Sequence, residues 1–183
     1  MEKTKKTVFV TGSSGMLGRD LVCCLKERFR VVALTRRSCD ITDKKKVLEV
    51  FKRYRPWAVM HTAGFTDVDG CQKDSKKAYR VNARGTSNVA NAAAVTGAVL
   101  VYVSSDYVFG GGRRSPYMET DRPHPLSVYA RTKLRGEESV RKLLRKYIII
   151  RTSWLFGRGR VNFIDSVLRW AKGGDRIKIL ADK

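Results

Sequence analysis

The chain has 183 residues, of which 43% are hydrophobic, and it carries a formal net charge of +21. This length allows one domain with a hydrophobic core, and the hydrophobic content excludes an intrinsically disordered chain. No apolar run approaches the roughly 18 residues that span a bilayer, and the apolar stretch near the N-terminus is too short for a signal peptide. We therefore expect a cytoplasmic protein that does not associate with membranes.

The predicted elements alternate between strands and helices along the chain. Short β-branched runs predict strands, and apolar residues at helical spacing, such as Leu17, Leu21 and Leu25, predict helices. The predicted strands cover residues 7–11, 31–35, 58–61, 98–103, 147–151 and 176–180, and the predicted helices cover residues 16–29, 44–54, 75–96, 127–146 and 162–172. A loop rich in glycine, proline and arginine covers residues 110–125.

Regular strand–helix alternation is typical of a parallel sheet in an α/β fold. Right-handed crossovers then predict a doubly wound parallel sheet of about six strands, with helices on both faces. In such sheets the ligand crevice lies outside the carboxyl ends of the strands. Every candidate motif in this sequence falls just after a predicted strand or in the loops and helix beyond it.

Three glycines, Gly12, Gly15 and Gly18, follow the first predicted strand and open the first helix. The first permits a tight turn, the second lets the backbone approach a diphosphate, and the third lets the helix pack close to the sheet. This placement predicts a single Rossmann-type NAD(P)-binding domain over residues 1–183, although plain turn chemistry would use the same glycines. The cofactor would contact the turn at Gly12, Ser14, Gly15, Met16, Leu17 and Gly18.

The residues after the second predicted strand bear on which dinucleotide binds. A carboxylate here would accept hydrogen bonds from a free ribose 2′-hydroxyl, whereas Arg36 and Arg37 suit a 2′-phosphate. We predict NADP(H) as the preferred cofactor and keep NAD(H) as the alternative, because both arginines could simply belong to a very basic surface. Asp40 and Ile41 follow, where they could reach the adenine end.

A hydroxyl and a Tyr-x-x-x-Lys pair complete the pattern. Tyr129 and Lys133 are four residues apart on one predicted helix and so share a face, and Ser105 follows the fourth predicted strand. A nearby ammonium lowers the pKa of a phenol, so we expect Lys133 to lower that of Tyr129 and to bind the nicotinamide ribose. Tyr129 would donate a proton to a carbonyl oxygen that Ser105 holds. Without the other motifs, an aromatic core residue beside a solvated lysine would explain the pair equally well.

The cysteines and the charge exclude two other classes of site. The four cysteines form no C-x-x-C pair and no cluster with His61 or His124, so we predict no metal site. The basic residues are spread over both ends of the chain, and no recognised nucleic-acid motif accompanies them. This pattern argues against specific nucleic-acid binding and favours attraction of anionic nucleotides or an acidic partner.

At these residues the chain resembles the extended short-chain dehydrogenase/reductases, and more narrowly the dTDP-4-dehydrorhamnose reductases. The resemblance covers most of residues 8–157, and the combination of SSDYVF with PLSVYARTKLRGE is quite specific to this branch. The matching stretches are TGSSGMLG, DITD, VMHTAGFTDVDGCQKD, VNARGTSNVANAA, VYVSSDYVFGG, PYMETDRPHPLSVYARTKLRGEE and IIIRTSWLFG.

The resemblance implies roles for further residues. It implies that the cofactor is lined by His61, Thr62, Ala63, Gly64, Asn82 and Ser104, beside the catalytic Ser105, Tyr129 and Lys133. It implies that the sugar is bordered by Thr66, Val68, Asp69, Asp106 and Trp154. Ordinary packing is the alternative for His61 and for Trp154.

The implied activity is NADPH-dependent reduction of the 4-keto group of a dTDP-4-keto-6-deoxysugar, in dTDP-L-rhamnose synthesis. Members of the family carry a further C-terminal region that closes over the nucleotide-sugar, and we expect it to be absent or truncated here because the sequence ends at Lys183. The chain alone could then be inactive. The alternative is a non-catalytic NADP-binding regulatory subunit, since the beta subunit of methionine adenosyltransferase is similar to the same branch. The sequence leaves a homo-oligomer open.

Overall fold

The computed structural model describes residues 5–157 and 162–173. Its strands are β1 (Thr7–Thr11), β2 (Arg30–Leu34), β3 (Ala58–His61), β4 (Val99–Val103) and β5 (Tyr147–Ile150). Its α-helices are α1 (Met16–Leu25), α2 (Lys44–Tyr54), α3 (Val68–Lys73), α4 (Ser75–Ala78), α5 (Thr86–Thr96), α6 (Val128–Leu143) and α7 (Phe163–Gly173). A π-helical segment, Tyr79–Gly85, joins α4 to α5, and a 3₁₀ turn, Asp106–Val108, follows β4.

The five described strands form one parallel sheet in the order β2-β1-β3-β4-β5. The order reverses beside β1, because the chain moves to one side after β1 and to the other side after β2. Right-handed crossovers therefore place α1 on one face and α2, α5 and α6 on the other. Contacts of α5 with both α2 and α6 agree with this arrangement. The prediction of a doubly wound α/β fold is confirmed.

The core lies between the sheet and the layer of α2, α5 and α6. Phe9 of β1 is fully buried, and its ring meets the edge of Phe51 from α2 at a centroid distance of 5.1 Å. Leu100 and Tyr102 of β4 are fully buried as well, opposite the small residues of α5. Alanines on α5 let the helix lie close to the sheet, so the aromatic side chains of the strands fill the remaining space.

Local chemistry explains where the helices begin and end. Asp43 caps α2, since its carboxylate accepts a hydrogen bond from the Lys46 amide at 3.0 Å. Ser127 caps α6 through the Ala130 amide at 3.1 Å. Gly97 ends α5 with a φ of +72°, a left-handed conformation that costs glycine little.

The predicted helices differ from the structure in some of their bounds, and one predicted strand is not tested. The predicted helix over residues 75–96 contains the π-helical segment, and α3 before it was not predicted because six residues carry too short a pattern. The helix predicted over residues 16–29 ends at Leu25. The sixth predicted strand, over residues 176–180, lies outside the described residues, which contain five strands.

Candidate active site

A cavity of about 1130 Å³ lies at the carboxyl ends of the strands. It is lined by the turn after β1, the residues after β2, β3 and β4, and the first turns of α6. Every strand of the described sheet thus contributes to it, since Thr152 and Ser153 after β5 also line the wall. This is the position that the doubly wound topology predicts for a ligand.

The glycine turn forms one end of the cavity. Gly12 has a φ of +68°, and a Cβ there would lie 2.7 Å from the backbone of Ala63, so the turn after β1 packs directly on the residues after β3. At Gly18 a Cβ would overlap the Gly12 carbonyl oxygen and lie 2.8 Å from the Ser13 Cα. At Gly15 a Cβ would approach only the Gly12 carbonyl oxygen, at 3.1 Å, so its open side faces the cavity.

This turn fits a diphosphate. Gly15 is the N-cap of α1 and has no side chain to bond the amides of the first helical turn. Those amides and the positive end of the helix dipole therefore face the cavity at the point where the wall has no Cβ. The predicted turn residues Gly12, Ser14, Gly15, Met16, Leu17 and Gly18 all line the cavity.

The residues after β2 present one arginine to the cavity rather than two. Arg36 lines the cavity, and its Nε lies 3.3 Å from the Asp40 carboxylate, while the side chain stays 80% exposed. Asp40 also accepts hydrogen bonds from the amide and hydroxyl of Thr42, both at 2.9 Å. Burial tends to raise the pKa of Asp40, but the Thr42 and Arg36 hydrogen bonds hold it below its ordinary value. Arg37, predicted with Arg36 to bind a 2′-phosphate, does not line the cavity, and its contact with a cofactor stays a prediction.

The end of β4 and the start of α6 bring the predicted catalytic residues to one wall. Ser105, Tyr129 and Lys133 all line the cavity, and all three are buried. Lys133 donates a hydrogen bond from Nζ to the Val103 carbonyl at 2.7 Å, and the same nitrogen lies 4.3 Å from the centre of the Tyr102 ring. Ser105 donates to the Asp106 carboxylate at 3.1 Å. The structure thus brings the trio to the cavity that the glycine turn also lines.

Burial shifts the pKa values of Tyr129 and Lys133 in the directions that favour their neutral forms. It raises the pKa of the Tyr129 phenol, and the neighbouring Ser105 hydroxyl only partly offsets this effect. It lowers the pKa of Lys133 to about 7, with Glu137 acting in the opposite direction. The expected lowering of the Tyr129 pKa by Lys133 is not seen, because desolvation dominates and the ammonium is bonded to the Val103 carbonyl.

Asn82, predicted to contact the cofactor, lies behind the cavity wall rather than lining the cavity. Asn82 is buried, accepts a hydrogen bond from the Phe65 amide at 2.8 Å, and donates to the Phe65 carbonyl at 3.0 Å. Its amide also donates to the Thr132 hydroxyl at 3.1 Å. Asn82 therefore ties the loop after β3 to α6 without lining the cavity, and its contact with the cofactor stays a prediction.

His61 also has a packing role. Its ring is fully buried between the hydroxyls of Thr11, at 2.7 Å, and Thr86, at 3.0 Å, and it stacks on Tyr102 at a centroid distance of 5.4 Å. Burial lowers its pKa to about 3, so the imidazole is neutral at pH 7. It does not line the cavity, whereas Thr62, Ala63 and Gly64 after it do.

Most of the predicted sugar-binding residues also line the cavity. Thr66, Val68, Asp106 and Trp154 line it, whereas Asp69, an exposed residue of α3, does not. Trp154 is 72% exposed and has a φ of +52°, an uncommon conformation for a tryptophan. Its ring meets the edge of Phe163 at a centroid distance of 4.9 Å.

Several lining residues were not predicted from the sequence. Lys77 and Arg80 line the cavity from the helical segment after α3, and their charges were read only as part of a basic surface. Thr152 and Ser153 could have been found by the strand-end rule, since they lie just beyond β5, after Arg151. Ser104 was predicted and lines the cavity, but its hydroxyl donates to the buried Glu137 at 2.6 Å, a partner that no motif indicated.

Two further features are absent from the described residues. Among residues 5–157 and 162–173, no helix has the length and hydropathy that crossing a membrane requires. Within the same residues, no three side chains of the metal-ligating types converge.

The family model described as "RmlD substrate binding domain" matches residues 6–183. The spore coat polysaccharide biosynthesis protein SpsK of Bacillus subtilis is 38% identical over 177 residues, which cover 96% of this chain and 62% of that protein. The dTDP-4-dehydrorhamnose reductase of Aggregatibacter actinomycetemcomitans is 39% identical over 178 residues, covering 96% of this chain and 60% of that protein. The chain thus spans about three fifths of the length of these relatives.

A solved structure of a reductase is also similar to this chain. The dTDP-4-dehydrorhamnose reductase of Bacillus anthracis, in complex with NADP, superposes with a TM-score of 0.90 at 39% identity. The match covers 93% of this chain and 61% of that chain. The similarity in fold therefore extends over nearly all of this chain and over a part of the solved protein.

Proposed function

Because the chain belongs to the RmlD substrate binding domain family, we propose that it is the cofactor-binding part of an NADPH-dependent reductase. The substrate class is a dTDP-4-keto-6-deoxysugar, reduced at its 4-keto group, as the named activity of the relatives indicates. A cytoplasmic location belongs to the same proposal. The observation that carries it is the convergence of Ser105, Tyr129 and Lys133 on the cavity that the glycine turn closes.

The residues of the turn would hold the dinucleotide. Amides at the start of α1 would bind the diphosphate, and Arg36 would bind a 2′-phosphate at the exposed end of β2. Lys133, at the other end of the cavity, would bind the nicotinamide ribose. The bound dinucleotide supplies a hydride, which none of the side chains can provide.

The side chains beside α6 would handle the proton. Tyr129 keeps its phenolic proton at neutral pH because burial raises its pKa, so it can donate that proton to the oxygen of a ketone. Ser105 would hold the same oxygen, since its hydroxyl can turn from Asp106 towards a ligand. Thr66, Asp106 and Trp154 would contact the sugar on the open side.

The proposal is tested by following NADPH oxidation with a dTDP-4-keto-6-deoxysugar. Tyr129→Phe should lower turnover by about 10²- to 10⁴-fold while leaving the affinity for NADPH nearly unchanged, since only the proton donor is lost. Tyr117→Phe is the matched control, because Tyr117 lies outside the cavity and stacks on Phe109. Near-normal turnover of Tyr129→Phe would show that the phenol is not the acid.

The same assay separates the reductase from a regulatory subunit. A non-catalytic subunit would bind NADPH without oxidising it in the presence of the keto-sugar. Turnover that depends on Tyr129 therefore supports the reductase alone. Binding without turnover, both in this chain and in a chain of the relatives' length, would reject it.

Cofactor preference has its own test at the end of β2. Arg36→Ala should weaken NADPH by about tenfold to a hundredfold and leave NADH little changed, because only NADPH carries the 2′-phosphate. Arg37→Ala is the matched control, since it removes the same charge from a residue that does not line the cavity. Equal losses for both dinucleotides would reject the role of Arg36.

A further inference from the structure

A buried carboxylate lies one helical turn beyond Lys133 and takes no part in the steps described above. Glu137 of α6 is completely buried, and an unpaired charge at such a place would be very costly. The proposed reaction uses the first turns of α6, so the presence of a charge so close to them needs an explanation.

The carboxylate is held by four hydrogen bonds. Arg151 donates from Nε to Oε1 at 3.0 Å and from Nη2 to Oε2 at 2.8 Å, in the two-pronged geometry that a guanidinium favours. Arg141 donates to Oε2 at 2.9 Å, and Ser104 donates its hydroxyl to Oε1 at 2.6 Å. These bonds hold the pKa of Glu137 below its ordinary value against the effect of burial, so it is ionised at neutral pH.

Two of these contacts connect separate elements of the cavity wall. Arg151 directly follows β5, and Ser104 directly follows β4, so Glu137 fixes both strand ends to α6. The backbone adds a link of its own, because the Ser104 amide donates to the Ile150 carbonyl at 2.7 Å. Ser104 is therefore held at both its backbone and its side chain.

The end of β4 meets α6 at positions that are one turn apart. Lys133 bonds the Val103 carbonyl, Glu137 bonds the Ser104 hydroxyl, and the Ser105 hydroxyl lies beside the Tyr129 phenol. Tyr129, Lys133 and Glu137 are at i, i+4 and i+8, which places them on one face of the helix. Three consecutive strand-end residues are thus matched to three successive turns.

We propose that Glu137 is a positioning residue for the reduction: it fixes Ser104 so that Ser105 meets Tyr129, and its carboxylate, one turn along α6, favours the ammonium form of Lys133. This inference rests on the proposed function for its catalytic consequence only. The contacts of Glu137 with Ser104 and Arg151 hold whatever the reaction is.

The groups around Lys133 support the electrostatic part. On β3, His61 is neutral at pH 7, and on β4 the Tyr102 ring lies under the ammonium. On α6, Tyr129 is a protonated phenol at neutral pH, and Glu137 raises the pKa of Lys133. Glu137 is therefore the negative charge, among these neighbours, that favours the ammonium form.

If the role of position 137 were only to stabilise the fold, a hydrophobic residue would serve as well as glutamate. Replacing a buried ion pair by apolar side chains of similar volume is often neutral or stabilising, so such a pair is weak evidence for stability. A carboxylate that bonds a strand-end hydroxyl instead fixes a direction, because the Ser104 bond is short and defined. The chemistry of the group matches a positioning role better than a packing role.

The electrostatic part is tested by NMR titration of lysines labelled with ¹³C at Cε, with the Lys133 signal assigned through Lys133→Arg. In Glu137→Gln the titration midpoint of Lys133 should fall by about one pH unit. Glu138→Gln is the matched control: it removes the same charge from the next residue, which is paired with Arg135 on the surface. An unchanged midpoint in Glu137→Gln would overturn the electrostatic part, and this readout needs no turnover.

The positional part is tested by Ser104→Ala, which removes the bond and keeps the carboxylate. This variant should leave the Lys133 midpoint unchanged, and it should lower kcat about tenfold with little change in KM for NADPH, because Ser105 loses its fixed place. Normal kcat would overturn the positional part. If Glu137→Gln fails to fold, Glu137→Asp replaces it, since aspartate keeps the charge on a shorter side chain. Glu137→Asp should show the same loss of kcat as Ser104→Ala and a near-normal Lys133 titration midpoint.

Failure of this inference and failure of the proposed function have different signatures. If the unmodified protein shows no turnover, the proposed function fails, and the Lys133 titration together with amide exchange at residues 104–107 still decides the role of Glu137. Faster exchange in Ser104→Ala supports the positional part, and unchanged exchange contradicts it. If turnover is normal but neither variant changes kcat or the Lys133 midpoint, only the inference fails.

Discussion

The neutral His61 makes a specific prediction about acid stability. Its ring lies between the hydroxyls of Thr11 and Thr86, with no room for water to solvate an imidazolium. The pKa of His61 is lowered from 6.5 to about 3 in the folded chain, chiefly by burial and in part by the charge of Lys133. At a pH between these two pKa values, the His61 ring binds a proton in the unfolded chain but not in the folded chain, so the free energy of unfolding falls as the pH is lowered.

The size of this loss follows from the two pKa values. With an unfolded pKa of 6.5 and a folded pKa of about 3, lowering the pH from 7 to 5 should cost about 2 kcal/mol of unfolding free energy. Glu137 contributes little over this range, because its folded pKa lies below 4.5 and its contribution is lost only at lower pH. Lys133, with a folded pKa of about 7, also takes up protons over this range, so the part due to His61 is the difference between the unmodified protein and His61→Gln.

Urea denaturation at pH 7 and pH 5 measures the effect in unmodified protein, in His61→Gln and in His124→Gln. The quantity to compare is the difference in unfolding free energy between the two pH values, so that any fixed loss from the mutation cancels. His61→Gln should lose about 2 kcal/mol less than the unmodified protein on acidification. His124→Gln, in an exposed loop, should behave like the unmodified protein. An equal pH dependence in all three proteins would refute a buried neutral imidazole.

Three further predictions concern the frame of the cavity. Gly18→Ala should lower the free energy of unfolding in urea by about 1–3 kcal/mol, because the new methyl overlaps the backbone of the turn. Gly15→Ala should mainly weaken NADPH binding, since its methyl faces the cavity. Equal effects of the two variants on stability would contradict this distinction. Asn82→Ala should cost about 1–3 kcal/mol by leaving the Phe65 backbone unpaired, and faster amide exchange at Phe65 checks the cause. Asp43→Ala should cost about 1 kcal/mol through loss of the α2 cap without changing NADPH affinity, and a loss of affinity would contradict the assignment to the cap.

The fold could be predicted from the sequence because its signals are local. The β-branched runs and the spacing of apolar residues locate each described strand to within one residue at most of its ends, and strand–helix alternation then fixes a parallel sheet. The π-helical segment could not be predicted. It depends on how Asn82 and Gly85 meet residues distant in sequence, such as Ile41 and Thr132, and not on local propensity.

The site was predictable where backbone position alone decides it. Gly12, Ser105 and Tyr129 follow from strand ends and helical spacing, and all line the cavity. Residues whose role depends on side-chain direction were harder. His61 precedes a cavity-lining run, but the alternation of a strand turns it into the core, and Arg37 follows the cavity-lining Arg36 without lining the cavity itself.

The pKa shifts in the site bear on the direction of the proposed reaction. A ketone that accepts hydride must also accept a proton, so the acid has to be protonated before the reaction begins. Burial raises the pKa of Tyr129 and therefore keeps its proton in place at neutral pH. The opposite reaction, oxidation of an alcohol, would need a phenolate, which this environment disfavours. The raised pKa of Tyr129 therefore matches the proton donor that the proposed reduction requires.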